Sequence, residues 1–177
     1  MNLFLYSRLA TRNGMAICFN ENDARAVGRT ASGVKAIDLA DGDYVVGAEP
    51  VREDSKVLLV TDGGYGKCTD LTSFRIQHRG GKGLKAYKIT EKTGNIIGIS
   101  MVNDSEELIM VTSEGVVIRI RIKDIATTTG RITQGVRLIN LDDGVTVVSM
   151  DKISAEDAVE EESEENNTEV TTETTEE

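Results

Sequence analysis

A block of roughly fifty residues written three times over is what most limits the folds open to this chain. "LATRNGMAICF" from Leu9, "LVTDGGYGKCT" from Leu59 and "MVTSEGVVIRI" from Met110 share one layout, with Gly14, Gly64 and Gly115 at the same point, 50 and 51 residues apart. A second block follows in each unit: "GRTASGVKAIDL" from Gly28, "QHRGGKGLKAYKI" from Gln77 and "GRITQGVRLINL" from Gly130, in which Gly33, Gly83 and Gly135 correspond. Apolar runs that fit buried strands close the units: "YVVGA" from Tyr44, "NIIGISMV" from Asn95 and "VTVVSM" from Val145. Such a chain must stack one small unit on the next, because a single unit cannot bury its own apolar face.

Each unit reads as strand, turn, strand, glycine-rich connection, strand, turn, strand, with β-branched runs between turn residues. Four short strands in about fifty residues is the signature of a propeller blade, and leucine-rich repeats are too short to match. Helical patterning is absent beyond single turns at "ENDARAVG" and "IKDIATTTG". The expected fold class is all-β: a propeller-like fragment of three four-stranded blades at about residues 1–50, 51–101 and 102–150, forming one domain over 1–150. Three blades fall below the four to eight of a closed propeller, so open edges are expected, to be covered by a larger assembly or by self-association. Ser7 and Arg8 stand where the second unit has Val57 and Leu58, so apolar strand character breaks down there and the first unit reads as clipped or misjoined.

Charge is divided unevenly. The chain carries a formal net charge of -10, but residues 151–177 hold 12 acids and one lysine, leaving the body near neutrality at +1. That tail, almost without apolar residues after Val159, cannot bury enough surface to offset its ordering entropy and is expected to be disordered. Within the body, Gly63 to Ser100 holds seven Lys and Arg against Asp70 and Glu91, a local field suited to a polyanion. Cys18 and Cys68 share one repeat position and read as ordinary strand residues, with no zinc spacing. The apolar run Leu3 to Tyr6 is too short for a signal peptide core, so a cytoplasmic protein without membrane contact is expected.

The basic residues follow the repeat. Arg29, Arg79 and Arg131 precede the block glycine by four residues, and Lys35, Lys85 and Arg137 follow it by two. Equivalent positions on successive blades form a row around a rim, which suits a linear polyanion better than a small molecule. In "QHRGGKG" the glycines permit positive φ and close backbone approach, so that N–H groups, Arg79 and Lys82 can face a phosphate. The competing reading makes these glycines turn residues and the cations edge guards. "GGYGKCT" fails the phosphate-loop pattern because Cys68 follows Lys67, and one histidine, His78, leaves little for acid–base chemistry. Asp41, Asp43, Asp142 and Asp143 flank turn glycines and read as turn residues. No cofactor or metal is expected.

These units, "GRTASGVKAIDLADGDYVVG", "GYGKCTDLTSFRIQHRGGKG" and "GRITQGVRLI", resemble the C-terminal domain of the DNA gyrase A subunit over residues 9–150. The resemblance implies a β-pinwheel, a propeller-like disc with strands exchanged between neighbours, here its last three blades, around whose rim duplex DNA bends. Gln77, Arg79, Gly80, Gly81, Lys82 and Gly83 match the gyrase A box, with His78 a departure, in a unit that looks like the penultimate blade. It implies phosphate contacts by Arg29, Lys35, Arg79, Lys82, Lys85, Arg131 and Arg137, with Lys67, Arg119 and Arg121 as additions. The gyrase B subunit, with the rest of gyrase A, is an implied partner. None of Tyr6, Tyr44, Tyr65 and Tyr87 matches the family's catalytic tyrosine, so a non-catalytic part of a type II topoisomerase is expected. The A-type subunit of topoisomerase IV and a protein-binding propeller are the alternatives.

Overall fold

The computed structural model describes residues 6–154, among which no α-helix occurs. The strands are β1 (Tyr6–Thr11), β2 (Met15–Asn20), β3 (Val45–Pro50), β4 (Lys56–Thr61), β5 (Tyr65–Asp70), β6 (Leu84–Lys85), β7 (Ile96–Val102), β8 (Glu107–Thr112), β9 (Val117–Arg121), β10 (Thr127–Thr128), β11 (Val136–Arg137) and β12 (Val147–Ile153). Three hairpins, β1–β2, β4–β5 and β8–β9, are built alike. In each a glycine turns the chain at positive φ, Gly14 at 88°, Gly64 at 76° and Gly115 at 82°, where a Cβ would be strained. The preceding threonine closes the loop twice. Thr11, Thr61 and Thr112 accept the glycine N–H on their carbonyls and the next residue's N–H on Oγ1. Single 3-10 turns follow at Glu21–Asp23, Leu71–Ser73 and Ile122–Asp124; the middle one had no counterpart among the turns read from the sequence.

The sheets are not the three equal blades that the repeat suggests. Their orders are β3-β1-β2-β6, then β7-β4-β5 with β10 and β11 both on β5, then β12-β8-β9. The outermost strand of each complete blade comes from the following unit: β6 of the second unit pairs with β2, and β10 and β11 of the third pair with β5. The strand exchange implied by the resemblance is therefore present at both joints. Blade 3 has three strands instead of the expected four, because no described residue supplies its outer one.

Blades pack through their inner strands, β3 on β7 and β7 on β12. Glycine makes the approach possible: a Cβ on Gly47 would lie 3.0 Å from Ile99, and one on Gly98 would lie 2.6 Å from Met150. Strand β4 is buried on both faces. Val57 and Leu59 point into a core shared with blade 1, together with Ala10, Phe74, Tyr87 and Ile99, while Leu58 and Val60 point into one shared with blade 3, together with Cys68, Leu108, Met110 and Val147. That is why its sequence is a continuous apolar run instead of an alternation, each such side chain contributing about 1.5–3 kcal/mol relative to exposure. Of the three closing strands expected to be buried, only β7 is; β3 leaves Val45, Ala48 and Pro50 in solvent, and β12 leaves Val148, Ser149 and Asp151. Glu49 joins the inner ends of the blades, accepting the Met101 N–H at 2.9 Å and Lys152 Nζ at 3.2 Å.

Ser7 and Arg8 lie within β1, which runs six described residues as β4 does, so strand structure does not break down at them. Arg8 is buried, its guanidinium 4.8 Å from the Phe74 ring centroid and Nη2 donating to Leu71 O at 3.2 Å. Cation–π and carbonyl contacts let an arginine fill a core position, and its burial pushes its pKa down. Cys18 and Cys68 are buried and unpaired, and burial raises the Cys68 thiol to about 11. Strand β12 continues past Met150 to Ile153. The acidic tail beyond it lies outside the described residues.

Candidate nucleic-acid interface

The exchanged strands put a cation on the outer edge of blades 1 and 2. Lys85 is on β6 and Arg137 on β11, the outermost strands of blades 1 and 2, and both are exposed. Lys35 holds the equivalent place in the first unit, exposed and ion-paired to Asp38. That pairing, with weaker help from Lys82, holds the Asp38 carboxyl below its usual range. Arg137 keeps its charge unopposed by a carboxylate among the described residues, its guanidinium bonding the Tyr65 hydroxyl at 3.0 Å and Asn140 Oδ1 at 2.9 Å. With Lys92 Nζ 5.6 Å from the Tyr65 ring, two cations flank that phenol; the Arg137 hydrogen bond is the main reason its pKa is lowered. The sequence reading did not single out Lys92, although its place in the basic segment was visible.

In the loop from Gln77 to Gly83, Gly80 and Gly83 adopt φ of 81° and 74°, as a glycine-rich turn requires. Its backbone is largely turned inward. The Gln77 N–H bonds Cys18 O at 2.8 Å, the Gly80 N–H bonds Ala36 O at 2.8 Å, and Gly81 O accepts the Asp38 N–H at 2.9 Å. Two of the N–H groups expected to face a phosphate thus fasten the loop to the first unit. Lys82 projects from it, exposed and without an ion pair among the described residues.

Three expected phosphate ligands are hydrogen-bonded within the chain. Arg79 donates from Nε to Asp23 O at 3.1 Å and from Nη1 to Lys35 O at 2.5 Å; Arg131 donates from Nε to Lys85 O at 2.7 Å and from Nη1 to Ser73 O at 3.0 Å. These guanidiniums staple one blade's connection to the next, which the fixed fork of five donors suits. Lys67 is fully buried, donating to Arg131 O at 2.6 Å and Thr133 Oγ1 at 3.0 Å. Burial, and secondarily the Arg131 charge, lower its pKa to about 8. It is removed from the surface because its repeat position faces inward, as Ile17 and Ile118 do at the same place in the other units. Arg119 and Arg121 are exposed on β9 and engaged by Glu107 and Asp124, the latter at 2.8 Å. Arg29 is exposed and makes no ion pair or hydrogen bond among the described residues.

Among those residues no cluster of three metal-binding side chains occurs, and no helix is long and apolar enough to cross a membrane. The family model for the DNA gyrase C-terminal domain, β-propeller, matches three times, at residues 9–52, 55–103 and 106–154, once per unit. The DNA gyrase A protein of Staphylococcus epidermidis is 45% identical over 151 residues, covering 84% of this chain. That of Ureaplasma parvum serovar 3 is 45% identical over 142 residues, covering 80%. The chain spans 17% of the length of either relative. A crystal structure of the C-terminal domain of DNA topoisomerase IV superposes with a TM-score of 0.82 at 26% identity, over 96% of this chain and 53% of that one. The structure of the DNA gyrase A C-terminal domain gives 0.78 at 26% identity, over 84% and 50%. Repeat by repeat and strand by strand, this chain belongs to the DNA gyrase C-terminal domain family of β-propellers.

Proposed function

We propose that the chain is a non-catalytic, DNA-bending segment of a cytoplasmic gyrase A-type protein, serving supercoiling by a type II topoisomerase together with gyrase B and the rest of gyrase A. The observation that carries this reading is the exposed cation that recurs at one repeat position, Lys35, Lys85 and Arg137, the last two on the outer strands of blades 1 and 2, with Lys82 beside them. A duplex laid along that edge meets its phosphates at intervals set by the blades, which positions DNA without reading its bases. Arg119 and Arg121 on β9 extend the basic edge onto blade 3. Arg79, Arg131, Gln77, Gly80, Gly81 and Gly83 serve the interface indirectly, by holding the exchanged connections that present Lys82 and Lys85. Lys67 has no part in it. Smooth bending of a short site costs on the order of 1–6 kcal/mol, which several phosphate contacts offset. The relatives at 45% identity, both gyrase A proteins, favour gyrase over topoisomerase IV.

The test is salt-titrated binding to duplex DNA with ligase-mediated circularisation as the readout of bending. Lys82→Gln, Lys85→Gln and Arg137→Gln are each expected to flatten the slope of log affinity against log salt by about 0.9 and to lose circularisation together. An unchanged slope in the triple variant sinks the reading. Removal of residues 155–177, which leaves β12 whole, is expected to tighten binding if the acidic tail competes with phosphate for the edge.

A further inference from the structure

The two joints between blades are built from the same repeat positions and filled differently. At the second, Leu58, Cys68, Val102, Ile122 and Ile125 are each at most 3% exposed and pack as one cluster. Their counterparts at the first are Arg8, Cys18, Val51, Leu71 and Phe74, so an arginine stands where the second joint has a leucine. The first joint also holds a cavity of about 390 Å³, walled by Arg8, Cys18 and Val51 and, from the second unit's connection, by Phe74, Arg75 and Ile76. Its walls are almost wholly apolar, and its size lies in the range of about 300–1,000 Å³ usual for small-molecule sites. Arg75 and Ile76, both exposed, stand at its mouth.

The guanidinium in this wall lacks a counter-charge. Arg8 is 3% exposed, and beyond the Nη2 contact to Leu71 O and the Phe74 ring its Nε and Nη1 are buried without a hydrogen-bond partner. No carboxylate pairs with it among the described residues. Its cross-strand neighbour is Cys18, whose thiol is only a weak acceptor. A buried charge without a partner is costly; the remedies are a counter-ion or loss of the proton, and an arginine has only the first. The site therefore favours one negative charge. Apolar walls disfavour a second, as on a phosphate, and favour carbon beside the first.

We propose that the first joint is a binding site for a monocarboxylate with an apolar body, its carboxylate toward Arg8 and its carbon skeleton among Val51, Phe74 and Ile76. A short fatty acid and an aryl-substituted acid share that chemistry. Because the walls come from both units, an occupant ties blade 1 to blade 2 and stabilises the folded chain as it binds. The cavity lies between two described blades and includes none of Lys82, Lys85 and Arg137, so the inference does not depend on the nucleic-acid reading.

Calorimetric titration and thermal unfolding of the full chain with octanoate, phenylpropionate, octanol and acetate are the test. At least one of the two acids is expected to bind and to raise the unfolding midpoint, and their order distinguishes a fatty from an aromatic ligand. Octanol lacks the charge and acetate lacks the body, so each is expected to bind about tenfold more weakly or worse. Arg8→Leu gives this joint the residue of the other, and the variant is expected to fold and to lose the preference for acid over alcohol. The acid is also expected to slow alkylation of Cys18 by N-ethylmaleimide about tenfold at about ten times its Kd, while Cys68, in the second joint, keeps its rate. Failure of both acids to bind, equal binding of octanoate and octanol, a preference that survives Arg8→Leu, or an unprotected Cys18 would each overturn the proposal. So would acid binding that appears only once residues 2–5 are deleted, which would give the cavity to the chain's own first residues.

Discussion

The connection at 77–85 and its counterpart at 28–35 carry an arginine, a glycine and a lysine at the same spacing, and their surroundings differ throughout. The first is pressed onto blade 1, its arginine on two carbonyls and its glycine against a third; the second stands in solvent with none of these contacts. The blade under a connection, more than the connection's own residues, decides whether a recurring arginine is a staple or a loose cation and whether a glycine is required by space or only by φ. Within this protein the same repeat can therefore be measured with its partner and without it.

The largest expected separation is at the glycines. Gly83→Ala drives a Cβ into the Ala16 carbonyl at positive φ and is expected to lower unfolding free energy by about 3 kcal/mol or more, while Gly33→Ala is expected to cost about 1 kcal/mol from φ alone. Equal losses in chemical denaturation would break the comparison. Next is Lys67, whose ammonium lies under the second joint. Its folded pKa, about 8, is below the ordinary 10.5, so the unfolded chain binds more protons between those values and stability rises with pH across that window. Wild type is expected to gain on the order of 2 kcal/mol from pH 8 to 10.5 relative to Lys67→Met, and parallel pH profiles would refute it. The smallest separation is between arginines. Arg131→Ala is expected to cost about 1–2 kcal/mol through its two charged hydrogen bonds, and Arg29→Ala less than about 0.5 kcal/mol; comparable denaturation midpoints would remove the distinction between staple and loose cation.

Much of the fold was legible because its cause is local. Gly14, Gly64 and Gly115 need positive φ wherever a hairpin of this length turns, and the β-branched runs around them suit nothing but strands. What a connection pairs with is not local: Leu84 reads the same whether it completes its own blade or the one before, and only the assembled sheet shows that it lies on Ala16. Exposure of β3 and β12 was misjudged for the same reason, since each has a neighbour on one face only. Lys67 was readable. Ile17 and Ile118 occupy its repeat position, and a lysine standing where two isoleucines point inward is a buried lysine. Arg8 sits in the core through a ring and a carbonyl contributed by the second unit, which no reading of the first strand reveals.

Borrowing the outer strand from the next unit also sets a schedule for synthesis. Met15 and Ala16 leave the ribosome some seventy residues before Lys85 and Leu84, the strand that covers them. At about 5–20 residues per second the edge of blade 1 stands uncovered on the order of 4–14 seconds, and the edge of blade 2 waits slightly longer for Val136 and Arg137. A pause in translation within the second glycine-rich connection therefore lengthens the life of an exposed sheet edge.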